Sequence, residues 1–329
     1  MKRVFTIFAI VLGVLLLVVL VGPFLVPVPP LAGLEEPEAL AGEDSRFLTI
    51  PFDGTDGITL HYREGGAGEP TFILLHGFGS NLYTWDEVFD DFAARGTTLA
   101  YDRPPFGLSQ RLVAGDWSGE NPYAPDSAVA QLISVMDAKG LDDAILVGNS
   151  AGGTLALRAA LAHPERIDGL ILVSPAVYTG GGAPAFVRPL LGLPQFDRLG
   201  PLIARQFGAL GDSLAGQSFY DPSRITPEQA EKASLPLRVR DWDRGLWEFT
   251  KASEASDLVD RLADGTMPVL VVTGDSDAIV PTEESIRLAS ELPNAQLLVT
   301  EQCGHVSQVE CPEPFLAAVD AWLATLPAE

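Results

Sequence analysis

From Arg46 onward, short apolar runs alternate with stretches of helical spacing. The apolar runs have strand length. They are Phe47–Phe52, Ile58–Arg63, Thr71–Leu75, Thr97–Tyr101, Ala144–Val147, Gly169–Val173, Val269–Thr273 and Gln296–Thr300. Several are unbroken Val/Ile/Leu blocks, such as Ala-Ile-Leu-Val and Val-Leu-Val-Val. A strand buried on both faces of a parallel sheet needs such blocks, because neither face meets water. Between them, Trp85, Val88, Phe89 and Phe92 recur at i, i+3, i+4 and i+7, as do Val129, Leu132, Ile133 and Met136. Phe315, Val319, Trp322, Leu323 and Leu326 form a similar stripe near the C-terminus. This alternation predicts an α/β fold: a mostly parallel, eight-stranded sheet with helices on both faces.

Two stretches break the rhythm. The first is Val4 to Val26, 23 residues without a charge. About 20 apolar residues in a helix span a hydrocarbon core of about 30 Å. Lys2 and Arg3 precede the stretch and Glu35, Glu36 and Glu38 follow it, so the positive-inside rule puts the start in the cytoplasm and the body on the exported side. A cleaved signal peptide is the competing reading, but the nearest small-x-small site, Ala39-Leu40-Ala41, comes late and beyond three glutamates. The expected order is a membrane anchor over 1–29, a Pro-rich and acidic tether over 30–45, and one globular domain over 46–329. The second break runs from about 178 to 263. It holds no strand-like run but many aromatic residues, and Gly180-Gly181-Gly182 opens it. It is too long for an ordinary connection and predicts a helical insertion, a cap.

Composition narrows the functions. The chain has 329 residues and a formal charge of −23, with 21 basic residues against 44 acidic. A nucleic-acid partner needs a basic footprint and is excluded on that ground. The two cysteines, Cys303 and Cys311, cannot make a four-thiolate zinc site, and no His/Asp/Glu group shows ligand spacing, so neither metal nor cofactor is expected. Eight residues apart, the cysteines either form a disulfide in an exported protein or are small buried residues.

The chemistry concentrates after the strand at 144–147. Gly148-Asn149-Ser150-Ala151-Gly152 reads Gly-x-Ser-x-Gly between a strand and a helix. Glycines there allow a tight turn that lifts the serine out of the chain. The motif alone is weak; its strand–turn–helix setting strengthens it. A serine hydroxyl needs a base, and the chain offers four histidines: His61 on an early strand, His76 opening a Gly-rich loop, His163 at a helix end and His305 between the last strand and the last helix. His305 is the expected base, since its loop should emerge beside the serine. An acid must orient the imidazole. Asp277, in the turn after Val269–Thr273, is the choice, with Asp275 as the alternative. The developing oxyanion needs N–H donors, which the backbone of Phe78 and Ala151 would supply. His76, Gly77, Gly148 and Gly152 would shape the two supporting turns.

The order Ser150, Asp277, His305, with His76-Gly77-Phe78 after an early strand, resembles the α/β-hydrolase superfamily from about Phe47 to Leu326. Asp102-Arg103-Pro104-Pro105-Phe106-Gly107-Leu108-Ser109 is similar to its Asp-x-x-Gly-x-Gly-x-Ser loop, with Pro104-Pro105 as a departure. Gly274 to Pro281 resembles its acid loop, where the later aspartate is catalytic, and Gly304 to Phe315 its histidine loop and last helix. The resemblance implies a serine hydrolase with a helical cap over an apolar pocket. The expected function is a membrane-anchored hydrolase of a carboxylic ester with a small or medium hydrophobic acyl group. The alternatives are a carbon–carbon bond hydrolase, a perhydrolase, or a non-catalytic sensor using the same pocket.

Overall fold

The computed structural model describes residues 2–178, 181–183 and 186–327. All eight expected strands are present: β1 Arg46–Ile50, β2 Ile58–Gly65, β3 Phe72–Leu75, β4 Thr98–Tyr101, β5 Ala144–Asn149, β6 Ile167–Val173, β7 Val269–Gly274 and β8 Ala295–Thr300. They form one sheet in the order β1-β2-β4-β3-β5-β6-β7-β8. The pairs β1–β2 and β2–β4 are antiparallel and the rest are parallel.

The helices are α1 Lys2–Leu25, α2 Pro37–Leu40, α3 Asp86–Arg95, α4 Pro125–Lys139, α5 Ala151–Ala162, α6 Arg188–Leu191, α7 Pro194–Ala209, α8 Gly211–Gln217, α9 Pro227–Ser234, α10 Trp242–Ala252, α11 Thr282–Glu291, α12 Ser307–Glu310 and α13 Pro312–Leu323.

Strand alternation explains why both faces of the central strands are dry. In β3, Phe72 and Leu74 pack with Val88, Phe89 and Phe92 of α3 and with Phe315, Val319 and Trp322 of α13. Ile73 and Leu75 point the other way, into a core built by Val129, Leu132, Val135 and Met136 of α4, Leu155 and Leu157 of α5, and Leu288 of α11. Successive residues of a strand face opposite sides, so a continuous apolar run feeds two cores at once.

Helices α6 to α10 fall between β6 and β7 and form the insertion expected there. Gly180, placed at its start, lies outside the described residues. The cap has its own core. Trp247 packs on Gly200 of α7 and donates its indole N–H to Asp197 at 3.1 Å.

Helix α1 has an apolar span, Arg3–Leu25, with no buried residue, long and apolar enough to cross a membrane. It runs against α7, whose Arg198 and Arg205 donate to the carbonyls of Val26 and Pro29 at 3.1 and 3.0 Å. The acidic stretch expected to be a tether is docked along part of its length. Glu35 bridges to Val239, and Glu35 and Glu36 pair with Arg238 and Arg240 of the cap, each at 2.7 Å. Opposite charge on the cap holds what composition alone reads as extended chain.

Candidate active site

Ser150 sits between the end of β5 and the start of α5 with φ 55° and ψ −121°. A non-glycine residue held there costs about 1–3 kcal/mol and persists only when its surroundings enforce it. They do. The backbone N–H of Ser150 donates to Val173 of β6 at 2.9 Å. The flanking glycines leave no room for side chains: a Cβ on Gly148 would lie 2.5 Å from the Gly152 carbonyl oxygen, and one on Gly152 would lie 2.1 Å from the carbonyl oxygen of Leu75.

His305 and Asp277 come together across 28 residues of sequence. The Asp277 carboxylate lies 2.8 Å from His305 Nδ1, both side chains almost wholly buried. The other Asp277 oxygen accepts the N–H groups of Ile279 and Val280 at 2.9 Å each. Burial alone would raise the Asp277 pKa. The hydrogen bond and charge of His305, with those two N–H groups, outweigh it and hold the carboxyl below its usual range. Asp277 thus stays ionised and accepts the Nδ1–H hydrogen bond, leaving Nε2 as the basic nitrogen. Asp275, the alternative acid, is exposed and bonds Ser276 Oγ and the N–H of Cys303, which makes it a turn cap.

The Gly-rich loop lies against the elbow. A Cβ on Gly77 would be 3.2 Å from Ser150 Cβ. Phe78 follows it, and Ala151 is the first residue of α5, so both backbones flank the serine. The Phe78 ring is half-exposed and meets Phe106, Phe207 and Phe249, with centroids 5.5 to 6.5 Å apart. Phe207 and Phe249 come from the cap, so cap aromatics reach the loop beside the serine.

His76 is a buried support. The backbone N–H of Arg103 donates to its Nε2 at 2.9 Å, so Nδ1 carries the proton and donates to the Gly77 carbonyl at 2.7 Å. Complete burial, helped by the Arg103 charge, pushes its pKa down from 6.5 to about 3, against a smaller opposing effect of Asp102. The sign follows. Between those values the unfolded chain binds a proton that the folded chain refuses, so this contribution is full above pH 6.5 and is lost as pH falls toward 3. The unfolding free energy is expected to fall on acidification from pH 6.5 to 4.5, and His76→Gln to flatten that slope by up to about 1.4 kcal/mol per pH unit. Calorimetry of both proteins checks it; parallel slopes would acquit His76.

His163 caps the C-terminal end of α5. His61 bonds Asp102 at 2.7 Å and Ser45 Oγ at 2.7 Å. This second Ser–His–Asp chain is not on an elbow. Ser45 Oγ accepts the Gly42 N–H and also contacts Tyr83, so it clips the segment before β1 to the core. A cavity of about 680 Å³ opens beside it, lined by Arg63, Lys232 and Arg238 together with Asp44, Asp86, Glu228 and Glu231.

Sequence reasoning passed over Asn149. Its side-chain amide donates to the carbonyls of Val173 and His305 at 3.2 and 3.1 Å, tying elbow to histidine loop. The motif allows any residue there, so nothing in it signalled this role. The cysteines are paired: Cys303 and Cys311 form a disulfide that brackets His305, with Cα atoms 6.3 Å apart.

A doubly covered sheet carrying a strained serine turn beside a His–Asp pair defines a hydrolase of the α/β class. The chain belongs to the alpha/beta hydrolase fold family, which matches residues 70–312. It is 32% identical over 284 residues, 82% of this chain and 92% of the other, to a 2-hydroxy-6-oxononadienedioate/2-hydroxy-6-oxononatrienedioate hydrolase of Paraburkholderia phymatum. It is similar in fold to a thermophilic esterase from Thermogutta terrifontis (TM-score 0.70, 23% identity, 86% of this chain and 100% of that one). It is also similar in fold to a membrane phospholipase A described as a bacterial virulence factor (TM-score 0.67, 23% identity, 99% of both chains).

Proposed function

We propose that this chain is a serine-type hydrolase that splits a carbon–carbon bond beside a ketone. Ser150 is the nucleophile, His305 the general base and then acid, and Asp277 the orienting carboxylate. The observation that carries the reading is the His305–Asp277 pair beside the Ser150 elbow, in a chain 32% identical to a 2-hydroxy-6-oxononadienedioate hydrolase along 92% of that enzyme. The acid in that name holds no ester or amide bond, so its hydrolysis breaks a carbon–carbon bond next to the keto carbon. That supports the carbon–carbon alternative over the ester reading expected from the sequence.

Oγ bonds to the ketone carbon while its proton passes to His305 Nε2. The Phe78 and Ala151 N–H groups hold the oxyanion. When the tetrahedral centre collapses, the electron pair of the breaking bond leaves on the conjugated fragment, which takes the proton back. Water, deprotonated by His305, then releases the acyl group from Ser150.

Ester cleavage runs through the same addition and stands as the second reading. Helix α1 favours it. The cap helix it packs against, α7, leaves Ile203 and Phe207 partly exposed, as suits an enzyme of apolar acyl substrates at a membrane. The chain would then be anchored by α1 with its catalytic body exported. The Cys303–Cys311 disulfide supports an oxidising compartment.

The test pairs a coloured ring-fission diketone with nitrophenyl esters of graded chain length, on wild type and Ser150→Ala. Ser150-dependent bleaching of the diketone supports the first reading. Ser150-dependent turnover of esters alone overturns it in favour of the second, and turnover of neither overturns both. On the active substrate, Asp277→Asn is expected to lower kcat by on the order of 10⁴-fold, because the amide stabilises the wrong imidazole tautomer. A loss under tenfold would remove Asp277 from the role.

A further inference from the structure

Glu310, in α12, has a fully buried side chain. An isolated buried carboxylate is costly unless hydrogen bonds satisfy it. Here three backbone N–H groups do so. Glu310 Oε2 accepts from Gly304 at 2.8 Å and from Tyr220 at 2.9 Å, while Oε1 accepts from Asp221 at 2.9 Å. All three partners are donors, so the matching group is an acceptor-only carboxylate. Arg224 stands 3.9 Å away.

The donors belong to two different parts of the molecule. Gly304 immediately precedes His305. Tyr220 and Asp221 lie in the cap, in the turn that follows α8. A further bond joins the same two parts: the backbone N–H of His305 donates to the Ser218 carbonyl at 2.8 Å. The contact is close, since a Cβ on Gly304 would lie 2.6 Å from that Ser218 oxygen. On its other side, the His305 carbonyl accepts the Asn149 amide from the elbow. The peptide before His305 is therefore held by the cap and the peptide after it by the nucleophile turn.

Resting on the triad reading above, we propose that Glu310 is a positioning residue that makes the general base depend on the seating of the cap. His305 keeps its register toward Ser150 only while the turn 218–221 is docked on Glu310. If that turn lifts, Glu310 loses two of its three donors and the His305 N–H loses its acceptor. Buried groups stripped of partners drive the loop to rearrange. A displacement of about 1 Å in a catalytic group lowers rate by about 100-fold. Cap closure over a substrate then completes the base as well as the pocket. The Cys303–Cys311 disulfide, bracketing the same loop, limits how far the loop can travel.

The test uses the full chain with Glu310→Gln, which keeps shape and one acceptor oxygen but points N–H₂ at a donor. Glu310→Ala is the harsher companion. Three quantities are read: kcat and KM on the active substrate, the rate at which a fluorophosphonate labels Ser150, and amide hydrogen exchange. Glu310→Gln is expected to lower kcat and the labelling rate by about 30- to 100-fold with KM within about threefold. Protection should be lost together at Gly304, Tyr220 and Asp221. A purely structural role would lower the melting temperature while leaving the labelling rate of the folded protein unchanged, and that result overturns the proposal. So does slowed labelling with the cap-turn amides still protected. Failure of wild type to label at Ser150 would instead overturn the triad reading. If Glu310→Ala does not fold, the Gln variant and the exchange data still decide.

Discussion

Ser150→Ala is expected to lower kcat by on the order of 10⁶-fold while leaving the fold intact. The loss is large because no neighbouring group can replace the attacking oxygen, and the His305–Asp277 pair then has no proton to take. A residual acceleration should survive, since binding and the oxyanion donors of Phe78 and Ala151 do not depend on Oγ. Stability should change little. Alanine keeps the Cβ that makes φ 55° unfavourable, and the N–H bond to Val173 is a backbone bond. Ser150→Gly should behave differently: equally inactive, but more stable by about 1 kcal/mol, because glycine adopts that conformation without strain. Turnover and thermal melts of the two variants separate chemistry from strain. Activity within tenfold of wild type in Ser150→Ala would place the nucleophile elsewhere, and a Gly variant no more stable than the Ala variant would mean the turn stores no strain.

Gly152→Ala is the second large effect, and it acts through space rather than chemistry. The added methyl would lie 2.1 Å from the Leu75 carbonyl oxygen and 2.7 Å from that of His76. Both are backbone atoms of the strand end that feeds the His76-Gly77-Phe78 loop, so no side chain can swing aside. Either α5 retreats from β3 or the loop moves. Overpacking of this kind typically costs about 1–3 kcal/mol, and more where backbone must shift. Movement of the loop also carries the Phe78 N–H away from the oxyanion, and losing one such donor costs about 10²–10³ in kcat. The folded variant should therefore melt lower and turn over at least 100-fold more slowly with KM little changed. Wild-type melting and kcat would show that the elbow has room for a side chain.

Much of the fold was legible in the chain because its two periods are unambiguous. Val/Ile/Leu runs of strand length between turn signals fit a sheet covered on both faces, and the Trp85–Phe92 and Phe315–Trp322 stripes match helices that supply one of those covers. The strand–turn–helix setting of Ser150 marked the elbow, since the local backbone there depends on glycines that can be read directly. His305 was reached by elimination among four histidines, and Asp277 by its turn.

What the chain order alone could not supply is every contact made by groups common to all residues or indifferent to a motif. Asp277 and His305 lie 28 positions apart, and the adjacency of β7 and β8 sets them 2.8 Å from each other. Asn149 occupies a position where any residue is allowed. Glu310 looks like an ordinary helix carboxylate until three N–H groups converge on it, two of them from a cap turn far away in sequence. The acidic stretch after α1 reads as solvated chain because its partners, Arg238 and Arg240, lie about 200 residues away. Periodicity and motif record how a segment behaves on its own or against any apolar neighbour. The hydrogen bonds that align His305 and seat the cap, and the Cys303–Cys311 disulfide beside them, depend on which particular groups the fold brings together. Those are set by the packing of the whole domain, and they decide the geometry on which the chemistry turns.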